Sequence, residues 1–239
     1  MTFANCYEDA MRARAYAELE FANTYYLAYR DLPDIIRLHA TGTKALDFGC
    51  GTGRSTRFAR QLGLDVAGAD IAPKMIAKAR EIDPSIDYSL IQTDELRELP
   101  RDTYDLILSL FTFDNIATPA KLRLFRTLGA LLKPSGKIIS VVSSPEMYVH
   151  EWASFSTKGY PENRSARSGD RVRNLITDTS DLRPVEDILC TDESYREIYA
   201  QTGLNLVATY RPLAKGDEPY RWINETTLAP WTIYVLSRT

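Results

Sequence analysis

The chain has 239 residues, 44% of them apolar and 26% charged, with a net charge of -3 at pH 7; this is enough to bury a core without disulfide or metal staples and suits one elaborated α/β domain. The near-balanced charge excludes a global field for nucleic acid, and the 3 cysteines, Cys6, Cys50 and Cys190, are too scattered for a disulfide framework or a zinc cluster. No apolar run approaches the roughly 20 residues of a membrane span, and the acidic N-terminus does not resemble a signal peptide, so the expectation is a cytoplasmic protein without metal.

Residues 7–39 read as helical, with a restart at Asp31-Leu32-Pro33 in which Asp31 is the N-cap. Strand one is expected at Lys44 to Phe48, then a helix from Arg54 to Leu62 closed by Gly63. Strand two runs over Leu64 to Ala69, and Pro73 opens a helix to about Glu81. Strands three and four are expected at Ile86 to Ile91 and Tyr104 to Leu110. A helix from Thr118 to Leu132 leads through Pro134-Ser135-Gly136 into strand five, Lys137 to Val142. Strands alternating with helices imply a parallel sheet covered on both faces. After Val142 the rhythm breaks into an insertion with two short strands, around Val172–Ile176 and Val185–Leu189. A helix capped at Thr191-Asp192 runs to Gln201, and two strands, Leu204 to Tyr210 and Trp231 to Leu236, have no helix between them and should pair antiparallel at one edge.

Chemistry concentrates at residues 45–53, Ala-Leu-Asp-Phe-Gly-Cys-Gly-Thr-Gly. A buried strand running into alternating Gly49, Gly51 and Gly53 is a loop that bares backbone to a ligand at a helix N-terminus. The spacing is not the dinucleotide Gly-x-Gly-x-x-Gly, since the third places fall on Arg54 or Thr56. Asp47, two residues before the first glycine, is poorly placed for a pyrophosphate and suits an amine-bearing ligand; its bland alternative is a cap for backbone amides. Asp70, ending strand two, can accept from both ribose hydroxyls of an adenosine and can also cap the Pro73 helix. Asp94, after strand three, can accept from an adenine amine or be an ordinary loop acid.

Taken together, Leu46 to Gly53, Gly68 to Met75, Asp94 before Leu99-Pro100, Tyr104 to Ser109 and Leu131 to Lys137 resemble the class I S-adenosylmethionine-dependent methyltransferases. The resemblance covers residues 42–142 by motif and the last two strands by topology. It implies a Rossmann-like, seven-stranded, mostly parallel sheet with an antiparallel last strand, an N-terminal helical cap over 1–41, a cofactor core over 42–142, a lid insertion with its following helix over 143–203, and a final strand pair over 204–239. It further implies S-adenosylmethionine as cofactor. Its glycine loop, Gly49, Cys50, Gly51 and Gly53, would meet the methionine moiety and Asp47 its amine. Asp70 would hold the ribose, Ile71 would pack on the adenine, and Asp94 and Glu95 would meet the adenine amine. Ser109 and Leu110 would offer backbone. Tyr25, Tyr26 and Arg30 are candidates to close over the cofactor, with Arg30 on its carboxylate or simply at the surface.

The implied function is methyl transfer to nitrogen, oxygen or carbon of a small molecule; the alternative is a cofactor-binding sensor without transferase activity. Family members acting on nucleic-acid or protein amide nitrogens often carry Asn/Asp-Pro-Pro-Tyr after strand four. Here Ser109-Leu110-Phe111-Thr112-Phe113-Asp114-Asn115 stands in its place, which disfavours those targets. The acceptor is expected among Phe111, Phe113, Tyr148, Trp152, Tyr220 and Trp222, with packing as the alternative for the last two. His150 is the candidate base, or a lid histidine, and Asp114 would orient an amine or cap the next segment. His39 and Asp105 read as structural. The segment with Lys158, Arg164, Arg167, Arg171 and Arg173 reads as a solvated lid, with attraction of an anionic acceptor as the alternative. Oligomeric state is not visible in the sequence.

Overall fold

The structure is a computed structural model that describes residues 10–92, 96 and 99–239. Seven strands form one sheet in the order β3-β2-β1-β4-β5-β10-β9. β1 (Lys44–Phe48) lies between β2 (Asp65–Asp70) and β4 (Tyr104–Leu110), parallel to both. β3 (Tyr88–Leu90) and β5 (Leu132–Ser143) extend the parallel part on either side. β10 (Trp231–Arg238) is antiparallel to β5 and to β9 (Leu204–Tyr210), so only the last strand runs against the rest.

The sequence dictates this layering. β4 reads Tyr-Asp-Leu-Ile-Leu-Ser-Leu and is buried at every position, as a central strand covered on both faces must be. Leu106, Leu108 and Leu110 face the helices α2 (Thr24–Arg30) and α3 (Leu32–His39), whereas Ile107 packs toward α6 (Thr118–Leu131) and α7 (Asp192–Gln201). Each such side chain contributes about 1.5–3 kcal/mol by leaving water. The shorter helices α4 (Arg54–Gln61) and α5 (Pro73–Ile82) follow β1 and β2, with Pro73 in the first turn of α5.

Three expectations are corrected. The N-terminal helical run is broken into α1 (Ala10–Glu18), α2 and α3, and residues 7–9 lie outside the described residues. Asp31 stands at the N-cap of α3 without a side-chain cap bond, because its carboxylate takes the Arg30 guanidinium instead. Pro134-Ser135-Gly136 is not a turn ahead of β5 but lies within it, at a register shift opposite Tyr104 and Leu106. The insertion after β5 contains a second, three-stranded antiparallel sheet of β6 (Phe155–Ser156), β7 (Arg171–Ile176) and β8 (Val185–Ile188). Thr191 caps α7 by accepting from the Ser194 N–H.

Asp105 and His39 are structural. Asp105 accepts from Lys133 Nζ at 2.9 Å and from the Lys44 N–H at 3.1 Å, which hold its carboxyl below the usual range. His39 meets the Tyr210 hydroxyl at 2.8 Å.

Candidate active site

A cavity of about 520 Å³ opens at the carboxyl ends of β1, β2 and β4, where open α/β sheets bind ligands. Its floor is the loop after β1. Gly49, Gly51 and Gly53 have φ of 75°, 55° and 81°, a region costly for side-chain-bearing residues. Nothing lies within 4 Å of where a Gly51 Cβ would stand, so bare backbone faces open space.

Asp70, at the end of β2, holds this loop and its own turn together. Its Oδ2 accepts from the Gly51 N–H and its Oδ1 from the Ala72 N–H, both at 2.8 Å. Burial pushes its carboxyl up, opposed by these backbone bonds. Ile71 beside it is 48% exposed and lines the cavity with Met75 and Leu96, an apolar platform left uncovered by the protein.

Asp47 is fully buried under the loop. Its Oδ2 accepts from Ser55 Oγ at 2.6 Å and Thr56 Oγ1 at 2.7 Å, while Oδ1 is buried without a hydrogen-bond partner. Burial raises its carboxyl to about 6, against the pull of those two hydroxyls. An orphaned carboxylate oxygen in a native interior calls for an explanation, and a donor arriving at the adjacent loop supplies one.

The opposite wall is aromatic. Tyr25 and Tyr29 sit one turn apart on α2, so they share a face, and both line the cavity with Phe111. Tyr25 meets the Phe111 ring edge-on at 5.4 Å and stacks on Trp231 at 5.7 Å. Phe111 holds a φ of 61°, a strain of about 1–3 kcal/mol for such a residue. Its N–H bond to the Val141 carbonyl helps hold that conformation. Arg54, the first residue of α4, stands in this aromatic box. Its guanidinium carbon is 4.6 Å from the Tyr25 centroid and 5.4 Å from that of Tyr29, and Nη1 donates to the Glu20 carbonyl. Burial pushes both phenols up, so they remain donors at neutral pH.

Of the sequence-derived cofactor candidates, Tyr25, Gly49, Cys50, Gly51, Asp70, Ile71 and Leu110 line the cavity. Gly53 closes the loop as the N-cap of α4. Asp47 and Ser109 lie beneath it, both fully buried, with Ser109 Oγ also unpartnered. Asp94 and Glu95 fall outside the described residues. Arg30 is held elsewhere, by the Asp31 carboxylate, the Leu213 carbonyl and Glu218 Oε1, and Tyr26 packs on Tyr220.

Of the acceptor candidates, only Phe111 lines the cavity. Phe113 is stacked on Phe125 at 4.0 Å in the core. Tyr148 donates to Asp187, and Trp152 to the Met147 carbonyl. Tyr220 and Trp222 pack on each other, with the Trp222 indole donating to Glu218. Neither His150 nor Asp114 lines it. His150 lies edge-on to Trp152 at 6.4 Å, and Asp114 accepts from the N–H and hydroxyl of Ser143. The sequence reading missed Tyr29, Arg54, Ser55 and Thr112. Its available signals were the i, i+4 spacing of Tyr25 and Tyr29 and the place of Arg54 directly after the glycines.

Comparison with known proteins gives matches to both the segment around the loop and the fold. A family model described as "Methyltransferase domain" matches residues 45–136. A ubiquinone biosynthesis O-methyltransferase of Xanthomonas axonopodis pv. citri is 28% identical over 106 residues, covering 43% of this chain and 44% of that one; the match thus spans less than half of the relative. The CcbJ methyltransferase of Streptomyces caelestis superposes with a TM-score of 0.62 at 17% identity, over 89% of this chain and 96% of that one. A putative S-adenosylmethionine-dependent methyltransferase of Listeria monocytogenes does so with a TM-score of 0.62 at 17% identity, over 90% and 99%. These structures share the seven-stranded fold, and among the described residues no helix is long and apolar enough to cross a membrane. Residues 45–136 thus match a methyltransferase domain, and the fold built around them is shared with methyltransferases of known structure.

Proposed function

We propose that this protein transfers the methyl group of S-adenosylmethionine to a small-molecule acceptor. The observation that carries this reading is the cavity floor: three glycines in the left-handed region, tied to Asp70 through the Gly51 N–H, above an Asp47 oxygen that lacks a partner. These residues fit the cofactor. Asp70 would hold the ribose hydroxyls, the bare Gly51 backbone the methionine moiety, Ile71 the adenine face, and Asp47 the α-ammonium from beneath the loop. When bound, the cofactor supplies a methyl group on a sulfonium, open to in-line attack. The protein aligns the nucleophile and excludes water. Tyr25, Tyr29 and Phe111 would form the dry wall facing that methyl. The small-molecule assignment is supported by the aromatic wall of Tyr25, Tyr29 and Phe111 and by relatives named for ubiquinone biosynthesis.

Arg54 replaces Arg30 as the group expected on the cofactor carboxylate, since it alone of the two reaches the cavity. A charge-assisted hydrogen bond of this kind contributes about 1.5–3 kcal/mol. Arg54→Met should therefore weaken S-adenosylhomocysteine roughly 10- to 100-fold in calorimetry. It should leave 5′-methylthioadenosine, which lacks the carboxylate, unaffected. Equal losses for both ligands would remove the assignment.

The test of the whole reading is thermal unfolding with S-adenosylhomocysteine against NAD. Ligand at 100 times its Kd adds about 2.7 kcal/mol, which for a chain of this size raises Tm by about 5–10 °C. NAD should give no shift. Absence of stabilisation by S-adenosylhomocysteine would overturn the proposal, and binding without turnover on any acceptor would favour a sensor.

A further inference from the structure

Behind the cavity, where the small sheet of β6, β7 and β8 meets the core, lies a cluster of charged groups that the proposed methyl transfer does not use. Asp114 follows β4 in a short 3₁₀ turn, Lys121 is on α6, and Asp187 is on β8. They are 7%, 0% and 5% exposed. Asp114 accepts from the Ser143 N–H at 3.0 Å and the Ser143 hydroxyl at 3.1 Å. Asp187 accepts from the Tyr148 hydroxyl at 3.1 Å and, more weakly, from Asn174 at 3.5 Å. Lys121 Nζ has no hydrogen-bond partner and lies 5.0 Å from the centroid of the Tyr195 ring.

The charge count is uneven: two carboxyl groups face one ammonium. Buried charges are tolerated only when paired, so the cluster is neutral when one carboxyl holds a proton and carries an unmatched negative charge when neither does. Among the described residues, the other titratable groups facing it are out of play near neutral pH. Tyr148, from the turn after β5, and Tyr195, on α7, are pushed well up by burial, and the Cys190 thiol is pushed up as well. Burial lowers Lys121, while Cys190, Asp114 and Asp187 oppose that shift. The carboxyls are the groups that change state.

We propose that Asp114, Lys121 and Asp187 form a proton-operated latch between the lid sheet and the core, closed while one of the two carboxyls holds a proton and loosened when both ionise. The partners of Asp187 are lid groups: Tyr148, in the turn that leads into the lid, and Asn174 on β7. That of Asp114, in the turn after β4, is Ser143 at the end of β5. Asn163 adds a second tie within the lid, donating to the Tyr148 and Arg173 carbonyls at 2.8 Å and 2.7 Å. Asn115 and Ile116, next to Asp114, line the cavity. Loosening of the latch therefore reaches the cavity wall through the 3₁₀ turn itself.

The sign follows from the folded-state shifts. Burial pushes Asp114 up to about 6, and burial together with the Asp114 charge pushes Asp187 up to about 7. A carboxyl raised above its unfolded value stabilises the folded form at low pH, and that contribution is lost as pH rises through the folded value. The lid should thus be held tightest in mild acid and loosen through neutrality, opposite to a salt-bridged surface carboxylate.

Hydrogen exchange of the full chain, corrected for intrinsic rates and followed from about pH 5.5 to about pH 8.5, reads this directly. No cofactor is needed, so the result is independent of the methyltransferase reading. Amides of β7 and β8 should lose protection about tenfold or more across the window, while those of β1 and β4 hold theirs. Asp187→Asn, which keeps an acceptor for Tyr148 but cannot ionise, should retain lid protection at the alkaline end. Lys121→Met removes the charge that favours ionisation and should move the transition to higher pH. Flat lid protection in the unaltered chain would overturn the latch, as would an Asp187→Asn profile that still falls like that of the unaltered chain.

Discussion

Asp70→Ala is expected to abolish useful cofactor affinity, weakening S-adenosylhomocysteine by about 100-fold or more in calorimetry, equivalent to about 2.8 kcal/mol. Two losses combine. The first is the pair of acceptors the ribose hydroxyls would use. The second is internal, since the Gly51 and Ala72 N–H groups both donate to this carboxylate at 2.8 Å. Without Asp70 the glycine loop loses its tie to β2, and the entry to α5 loses the Ala72 anchor. Hydrogen bonds to a charged group contribute about 1.5–3 kcal/mol each. The free protein should therefore also melt lower, by about 2–4 °C for each kcal/mol lost. Asp70→Asn separates the two roles. Its amide oxygen can keep one backbone bond, but its NH₂ cannot accept the other, so it should fall between the alanine variant and the unaltered chain in both measurements. Full affinity in Asp70→Ala would refute the placement of the adenosine.

Substitution of Gly49 by alanine should produce the largest loss of stability in the loop, whereas the same change at Gly51 should spare the fold and impair binding. Both positions have positive φ, 75° and 55°, which costs a residue with a Cβ about 1–2 kcal/mol. Their surroundings differ. A Cβ at Gly49 would overlap the Thr112 side chain, whose hydroxyl donates to the Phe48 carbonyl at 3.2 Å and so pins the loop after β4 against β1. Backbone strain and this collision should sum to about 3 kcal/mol, since overpacking alone costs about 1–3 kcal/mol. At Gly51 the added methyl meets nothing in the protein and projects into the space assigned to the methionine moiety. Chemical denaturation should thus rank Gly49→Ala below Gly51→Ala, while S-adenosylhomocysteine titration should show a marked loss in both. Unimpaired binding in Gly51→Ala would mean that the ligand does not approach this backbone.

The two halves of the cavity differ in how far the sequence exposes them. The half floored by the glycine loop was readable because its requirements are local. A strand buried on both faces must be apolar throughout, as Ala45 to Phe48 nearly are, and a tight turn into a helix must use residues tolerant of positive φ. Asp70 could be placed because it ends a strand adjacent to β1, and parallel neighbours present their carboxyl ends on one edge. These inferences need only the period of the chain and the conformational range of glycine.

The opposite wall did not yield in this way. Asp114 and Asn115 are neighbours in a 3₁₀ turn, yet one side chain is buried against Ser143 and the other lines the cavity. Direction in such a turn is set by what packs on either side, here the β7–β8 sheet and α6, which are distant in sequence. Tyr148, Trp152, Tyr220 and Trp222 had the composition of a binding wall; instead Tyr148, Trp152 and Trp222 donate to groups within the lid and the turn before β10, and Tyr220 packs on Trp222. Arg30 was the expected anion ligand, and Arg54 was missed. Arg30 faces acidic Asp31 and Glu218, while Arg54 is brought beneath α2 by the crossing of helices remote from it in the chain. The sequence alone determined the sheet and the glycine loop, since these rest on backbone geometry and local periodicity. The tertiary structure alone decided which aromatic and charged side chains face the cavity and which close the lid, since burial of a polar group depends on partners supplied from elsewhere in the fold.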